Sequence, residues 1–452
     1  MRTYEVRTFG CQMNKHDSER IAGMLEAHGL TAAPEGGLAD VIVFNTCCVR
    51  ENADERLYGQ VSSLATARRE SGCVIAVGGC IGQRDGAGLL RTLPHIDLVF
   101  GTHNLGLLPQ LIDAATASPR ALVQVADAGS DDFTSALPTS RERRWHAWVP
   151  IAVGCDNHCS YCIVPRVRGP ERSREFDAVV SEVRGLVCDG VVEVTLLGQN
   201  VNSYGRDLYG TPRFADLLRA VATTGIQRVR FTTSHPKDLS PATIEAMAAT
   251  PQVCRHLHLP VQSGSDRVLA AMNRRYTRDD YLELVGRLRE AIPDLSLTTD
   301  IIVGFPGETG VDFDQTLTVV DAARYDQAFT FIYSQREGTP AATMAEQVPR
   351  EVTQPRFERL VARIQTLAFE SNRALVGTTQ RVLVEGASRR DAAMLTGRTG
   401  GNKVVHAPVG GGGVPESLAG TFVDVTIVDA QTWFLMGTLA SGKDTSSPST
   451  SM

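Results

Sequence analysis

Cysteine spacing constrains this chain more than any other feature. Gly154-Cys155-Asp156-Asn157-His158-Cys159-Ser160-Tyr161-Cys162 places three thiols within eight residues, as CxxxCxxC, directly after the apolar, strand-like run Trp148 to Val153. Thiolates hold a four-iron cluster at its corners, so three protein ligands leave one iron open to a substrate. Asp156, Asn157, His158 and Ser160 are polar and turn-forming, which puts the cysteines on a loop rather than in a core. The alternative is a Cys3His zinc site completed by His158, since structural zinc closes a tetrahedron of N and S ligands. A zinc module usually offers a second CxxC or HxxxH pair, and none follows here. The chain has no apolar run of ~18 residues and no charged-then-apolar leader, so no membrane span is expected and a cytoplasmic location is. In that reducing compartment its ten cysteines read as metal or catalytic ligands rather than disulfides.

The length of 452 residues suggests about three domains. Residues 1–118 alternate strand and helix: Tyr4 to Phe9, a helix near Asp17 to His28, Val41 to Asn45, a helix over Asn52 to Glu70, Val74 to Val77, Leu98 to Phe100 and a final helix. This is a small parallel α/β sheet, in which ligands collect at the carboxyl ends of the strands. Cys11, Cys47 and Cys80 each follow a strand there, and three at one edge suggest a second cluster with an open iron. Cys73 begins its strand, at the opposite edge, and is left as filler. Cys48 is adjacent to Cys47, but its side chain should point the other way, so strand-end geometry favours Cys47.

Residues 119–146 are polar and turn-rich and read as a linker. From 147 to 376 six strand-helix units recur, with strands at Trp148 to Val153, Val191 to Leu197, Arg228 to Phe231, His256 to Leu259, Ser296 to Val303 and Gln327 to Tyr333. The expected fold is a partial (βα)6 parallel barrel with the cysteine loop at its carboxyl end, where such barrels build active sites. The strand-end turns at 197–204, 232–236, 259–265 and 304–308 would face the same cavity. Their glycines and amides suit close approach to a nucleoside. His235 and His258 are given no role; His258 reads as a satisfied core histidine. Residues 377–440 change to short β runs with Gly410 to Gly413 in a turn, a small β-barrel of a kind that binds RNA. Charge does not decide that point: the chain carries a net −6, and five basic residues in the barrel (Arg381, Arg389, Arg390, Arg398, Lys403) meet five acidic ones. Arg141, Arg143, Arg144, Arg166, Arg168, Arg172 and Arg174 gather around the cysteine loop, as an anion site or as a solvated linker. The tail 441–452 is Ser, Thr and Pro rich and is expected to be disordered.

TFGCQMN at 8–14, NTC at 45–47, GGC at 78–80, the CxxxCxYC loop and the terminal barrel together resemble the radical SAM methylthiotransferase family across nearly the whole chain. Gln12-Met13-Asn14, LGQNVNSY at 197–204 and TSHP at 233–236 are similar to its tRNA branch. The resemblance implies a [4Fe-4S] cluster on Cys155, Cys159 and Cys162 that reductively cleaves S-adenosylmethionine. Tyr161, Gly198, Gln199, Asn200 and Gln262 are the candidate contacts to that cofactor. It implies a second [4Fe-4S] cluster on Cys11, Cys47 and Cys80 as the sulfur site, and a second S-adenosylmethionine as methyl donor. The implied substrate is tRNA carrying N6-isopentenyladenosine at position 37, methylthiolated at carbon 2. The terminal barrel is similar to the TRAM domain that holds the tRNA, and an electron donor is required. Alternatives are a methylthiotransferase acting on threonylcarbamoyladenosine in tRNA or on a ribosomal-protein aspartate, and, from another class, a zinc-containing RNA-binding module. Two positions depart from the family pattern: Cys48, where a small polar residue is usual, and Glu337, where proline is frequent.

Overall fold

The computed structural model describes residues 2–48, 51–126, 137–409 and 413–440. The expected disordered tail 441–452, most of the Gly410 to Gly413 turn and the middle of the linker lie outside these residues. No helix among the described residues is long and apolar enough to cross a membrane.

Six parallel strands form the first sheet: β1 (Thr3–Thr8), β2 (Thr31–Ala32), β3 (Val41–Thr46), β4 (Val74–Gly78), β5 (Leu98–Phe100) and β6 (Leu122–Gln124), in the order β2-β1-β3-β4-β5-β6. Strand periodicity explains its two-sided burial. Ile42, Phe44, Ile75 and Val77 enter one apolar cluster, while their neighbours Val41, Val43, Val74 and Ala76 enter the other. β6 falls inside the stretch expected as linker, because three residues are too short a run to read against turn-rich neighbours. The first helix spans Gln12–Ala27 and starts earlier than the apolar pattern indicates. Its first turns bury Asn14, His16, Asp17 and Arg20, so the helical period is written there in polar residues. The single helix expected over Asn52 to Glu70 is two, Glu51–Ser63 and Ala65–Ser71, and the break turns Leu64 into the cluster that holds Leu57 and Val61.

The central domain begins with β7 (His146–Pro150). A short antiparallel pair, β8 (Ala152–Val153) with β9 (Arg172–Ser173), then clamps the cysteine loop at its base. β7, β10 (Glu193–Leu197) and β11 (Arg228–Thr232) make one parallel sheet; β12 (His256–His258), β13 (Ser296–Val303) and β14 (Gln327–Ile332) make a second. A parallel bridge between Val229 and Val253 joins their edges, giving six strands in partial-barrel order around one large apolar core.

The C-terminal unit is a closed barrel of β15 (Thr379–Ala387), β16 (Met394–Thr399), β17 (Val404–Pro408), β18 (Phe422–Ala430) and β19 (Phe434–Leu439), in the order β15-β16-β17-β19-β18. Gly397 at the centre of β16 makes Thr396-Gly397-Arg398 look like a turn, which hides this strand from the sequence pattern. The barrel docks on the amino end of β11, where the Arg230 and Arg228 guanidinium groups donate to the carbonyls of Thr399 at 2.7 Å and Arg398 at 3.0 Å. The opposite, carboxyl end of the strands is therefore left for the cysteine loop.

Candidate active site

Each cysteine set starts from a glycine that no other residue replaces. Gly10 has φ +133°, and a Cβ there would lie 2.3 Å from the Cys47 Cβ; Gly154 has φ +83°, with the Pro170 carbonyl oxygen 1.9 Å from the same position. The chain thus turns sharply just before Cys11 and just before Cys155.

The loop of Cys155, Cys159 and Cys162 is pinned from four sides of the barrel mouth. Gly154 N donates to Gln199 Oε1 at 2.6 Å, and Asn157 N to the Cys155 sulfur at 3.4 Å. Ser160 N donates to the Met272 carbonyl at 3.1 Å and Ser160 Oγ to that of Ala271 at 2.8 Å, while Ala341 N donates to the Ser160 carbonyl at 2.9 Å. Arg274 spans the floor: Nη1 lies 3.6 Å from the Cys159 sulfur and 3.4 Å from Tyr161 Oη, and Nη2 donates to the Pro260 carbonyl at 2.7 Å. Nothing in the local sequence marks Arg274, which lies 115 residues from Cys159. His158 is exposed, and its carbonyl, not its ring, is engaged, by Asn273 at 2.8 Å. Among the described residues no three His, Cys, Asp or Glu side chains close on one point as ligands of a single ion do. Cubane ligands sit on different irons and have no need to.

Above this loop the barrel mouth carries unpaired polar atoms. Asn200 Oδ1, both amide atoms of Asn202, Ser234 Oγ, Gln262 Oε1 and Tyr333 Oη are buried with no hydrogen-bond partner. They follow the carboxyl ends of β10, β11, β12 and β14. Buried polar groups are ordinarily satisfied, so the concentration of orphans at one mouth makes it the candidate site for a polar ligand. Gln262 is held there with φ +68°, outside the usual range for its residue type. Of the sequence candidates, Asn200 and Gln262 join this ring. Gln199 is committed to the cysteine loop, Gly198 lies against Val201, and Tyr161 packs beside Val268, Met272 and Phe305. Asn202, Ser234 and Tyr333 were not singled out, although Asn202 and Ser234 stand within the motif turns. Replacing Asn202 by leucine is expected to raise the thermal stability of the ligand-free protein by removing an unsatisfied amide. The same change is expected to weaken S-adenosylmethionine binding by roughly 5–150-fold, the equivalent of about 1–3 kcal/mol. Calorimetry and thermal melts check both signs.

His235 and His258 remain outside the chemistry. Burial, with Arg274 and Lys237 nearby, pushes His235 down to about 2. The imidazole of His258 bonds Thr298 at 3.0 Å and lies 3.4 Å from Asp300.

The second set forms at the carboxyl edge of the first sheet. Cys11 immediately precedes the helix Gln12–Ala27, Cys47 follows β3, and Cys80 lies in the first turn of the helix Gly79–Asp85. Asn14 organises the junction: its Oδ1 accepts from the Cys11 thiol at 3.2 Å and its Nδ2 donates to Asn45 Oδ1 at 3.1 Å and the Thr46 carbonyl at 2.9 Å. The Cys47 sulfur lies 3.1 Å from where a Cβ at Gly10 would stand, next to Cys11, whereas Cys48 packs with Cys80 in the apolar cluster. The two sets differ in electrostatics. The neighbouring Cys47 thiol and the Arg168 guanidinium outweigh burial and hold Cys11 down at about 6; the neighbouring Cys48 thiol and the same guanidinium bring Cys80 to about 7. Burial pushes Cys155 up to about 11 and, with neighbouring thiols, Cys162 up to about 12. In metal-free protein, Cys11 alkylation should therefore rise through about pH 6 and level off, while Cys155 alkylation keeps rising far above neutrality. Both thiols are partly exposed, so peptide mass spectrometry can compare them directly. Equal rates at neutral pH would contradict this electrostatic division.

Two of the arginines around the loop, Arg144 and Arg166, are exposed, Arg168 and Arg174 are buried, and four are tied to carboxylates of the chain. Arg174 donates to Glu182 at 2.6 Å, Arg143 lies 3.1 Å from Glu385, Arg141 3.6 Å from Asp189, and Arg168 donates to Asp17 at 2.9 Å.

Comparison with known proteins agrees with this arrangement. Residues 3–101 match the uncharacterized protein family UPF0004, residues 149–320 the radical SAM superfamily and residues 373–440 the TRAM domain. The tRNA-2-methylthio-N(6)-dimethylallyladenosine synthase of Salinispora arenicola is 53% identical over 415 residues, covering 90% of this chain and 82% of its own. The chain belongs to that family. The Frankia casuarinae synthase is 54% identical over 410 residues, covering 90% of this chain and 76% of its own. Among solved structures, the radical S-adenosylmethionine methyltransferase TsrM from Kitasatospora setae aligns with a TM-score of 0.55 at 14% identity, over 76% of this chain and 75% of its own. OxsB, a cobalamin-dependent S-adenosylmethionine radical enzyme, aligns at 0.51 and 12% identity, over 81% of this chain and 56% of its own. These two share the fold. The chain is an enzyme with an N-terminal α/β domain, a central radical SAM barrel and a C-terminal TRAM barrel, in the order expected from sequence.

Proposed function

We propose that this enzyme adds a methylthio group to carbon 2 of N6-isopentenyladenosine at position 37 of tRNA. The observation that carries the reading is the pairing of two three-cysteine sets, one at the mouth of a radical SAM barrel ringed by unpaired polar atoms, the other at the edge of the adjoining sheet. The donor chemistry fits: three sulfurs in each set, with no fourth protein ligand required. Cys155, Cys159 and Cys162 would hold one [4Fe-4S] cluster, and Cys11, Cys47 and Cys80 the other. Cys47 is preferred over Cys48 because it follows β3 directly and lies against Gly10, beside Cys11. When bound, these groups supply the electron that cleaves S-adenosylmethionine and the sulfur that is transferred.

The protein's own part is placement. An aromatic C–H is neither acidic nor electrophilic, so acid–base side chains do not suffice and geometry governs the outcome. Asn200, Asn202, Ser234 and Gln262 offer donors and acceptors to the polar parts of S-adenosylmethionine, and Arg274 fixes the loop beneath it. Phe305 and Tyr333, packed edge to face with ring centroids 5.5 Å apart, give the mouth an apolar side. The C-terminal barrel would hold the tRNA, and a cytoplasmic reductant would supply electrons. Nucleoside mass spectrometry of tRNA from a strain lacking this protein tests the reading. The expected result is loss of the methylthio nucleoside and accumulation of N6-isopentenyladenosine, restored by the wild-type chain. An unchanged isopentenyl nucleoside pool, or loss confined to the methylthiolated threonylcarbamoyl nucleoside, would refute it.

A further inference from the structure

The helix Val164–Arg168 directly follows the cysteine loop, yet its packing belongs to the other domain. Ile163 and Val167 are buried in the N-terminal apolar cluster together with Cys48 and Cys80, and Thr102 Oγ1 donates to the Val167 carbonyl at 2.7 Å. This crossing carries the Arg168 guanidinium, only 7% exposed, into the N-terminal domain. There Nη2 donates to Asp17 Oδ2 at 2.9 Å, and the positive charge of the same group lowers the pKa of the Cys80 and Cys11 thiols. The neighbouring Arg84, beside Cys48, is taken up by Asp85 at 2.6 and 2.7 Å and by Asp54 at 3.1 Å. Arg168 is the cation that the structure directs at the second set itself.

We propose that Arg168 is a positioning residue for the second set, stabilising the electron-rich form of the sulfur group held by Cys11, Cys47 and Cys80. The proposal rests on the two-cluster reading above. A guanidinium stays charged at every working pH, and a buried charge acts more strongly than one in water. Net charge and hydrogen bonds to sulfur set the reduction potential of an iron–sulfur group. Because the charge is delivered by the radical SAM domain, the second set has its cation only while the two domains are docked.

The test uses the full chain with Cys155, Cys159 and Cys162 all changed to alanine, reconstituted with iron and sulfide so that only the second cluster is observed. Its midpoint potential is read by electron paramagnetic resonance during a redox titration. Arg168→Gln is expected to shift the midpoint to more negative values, and Arg168→Lys to restore most of the shift. Asp17→Asn, which removes the counter-charge, is expected to shift it the opposite way. An unchanged midpoint in Arg168→Gln with the cluster retained overturns the proposal and leaves the two-cluster reading standing. If Arg168→Gln takes up no iron, Asp17→Asn decides, and a midpoint that is unshifted or more negative there overturns the proposal. A parent protein that assembles no cluster at all overturns the two-cluster reading and this proposal with it.

Discussion

Changing Cys80 to alanine is expected to leave reductive cleavage of S-adenosylmethionine running while methylthio transfer to tRNA stops. Cys80 is 5% exposed and lies in the first turn of the helix Gly79–Asp85, at the carboxyl edge of the first sheet and away from the ring of unpaired polar atoms at the ends of the barrel strands. Losing one small side chain there should cost little stability, because alanine keeps the helix turn and leaves a space no larger than one sulfur. What disappears is one of three sulfur ligands. Loss of even a second-shell partner costs about 10–100-fold in metal affinity or activity, so loss of a ligand should exceed that range. The measurement is parallel: 5′-deoxyadenosine formed by chromatography, and methylthio nucleoside formed by mass spectrometry, from the same incubation. Retained thiolation would show that Cys80 is not a ligand and would direct attention to Cys48, its neighbour in the same apolar cluster.

Changing Cys155 to alanine is expected to remove both products. Its sulfur accepts from Asn157 N at 3.4 Å at the start of the loop, and Gly154 before it is fixed by Gln199. Two thiols remain, one bound to Arg274, and burial holds the other, Cys162, in its protonated form near neutral pH. A two-thiol loop with that preference has little capacity for an iron cluster, and cleavage should fall to background. Substantial 5′-deoxyadenosine from this variant would refute the ligand assignment. The two variants separate the sets: one loses only the second half of the reaction, the other loses all of it.

The cysteines themselves were legible because strand, turn and helix signals lie within a few residues of each. Tyr4 to Phe9 followed by Gly10-Cys11 reads as a strand end whatever else the chain does, and so do Asn45-Thr46-Cys47 and Gly78-Gly79-Cys80. Five of the barrel strands end within two residues of their expected bounds, Ser296–Val303 without error, but the one expected at Trp148 to Val153 is split into β7 (His146–Pro150) and the antiparallel β8 (Ala152–Val153). Misreadings arose where local pattern and burial part company. The early start of the helix Gln12–Ala27 was hidden because it buries Asn14, His16, Asp17 and Arg20 against polar partners. Strand Met394–Thr399 was hidden by its turn-like glycine.

Sequence alone determined the set of candidate ligands, the order of three domains and the end of each sheet where chemistry is placed. These follow from backbone propensities and side-chain period, which act over a few residues and survive without knowledge of neighbours. Tertiary structure decided which polar groups at the barrel mouth stay unpaired, which of Cys47 and Cys48 faces Cys11, and that Arg168 reaches Asp17 across 151 residues. Burial and pairing are properties of what surrounds a side chain after folding. No window on the chain contains both partners of the Arg168–Asp17 contact, so only the packed domains could reveal it.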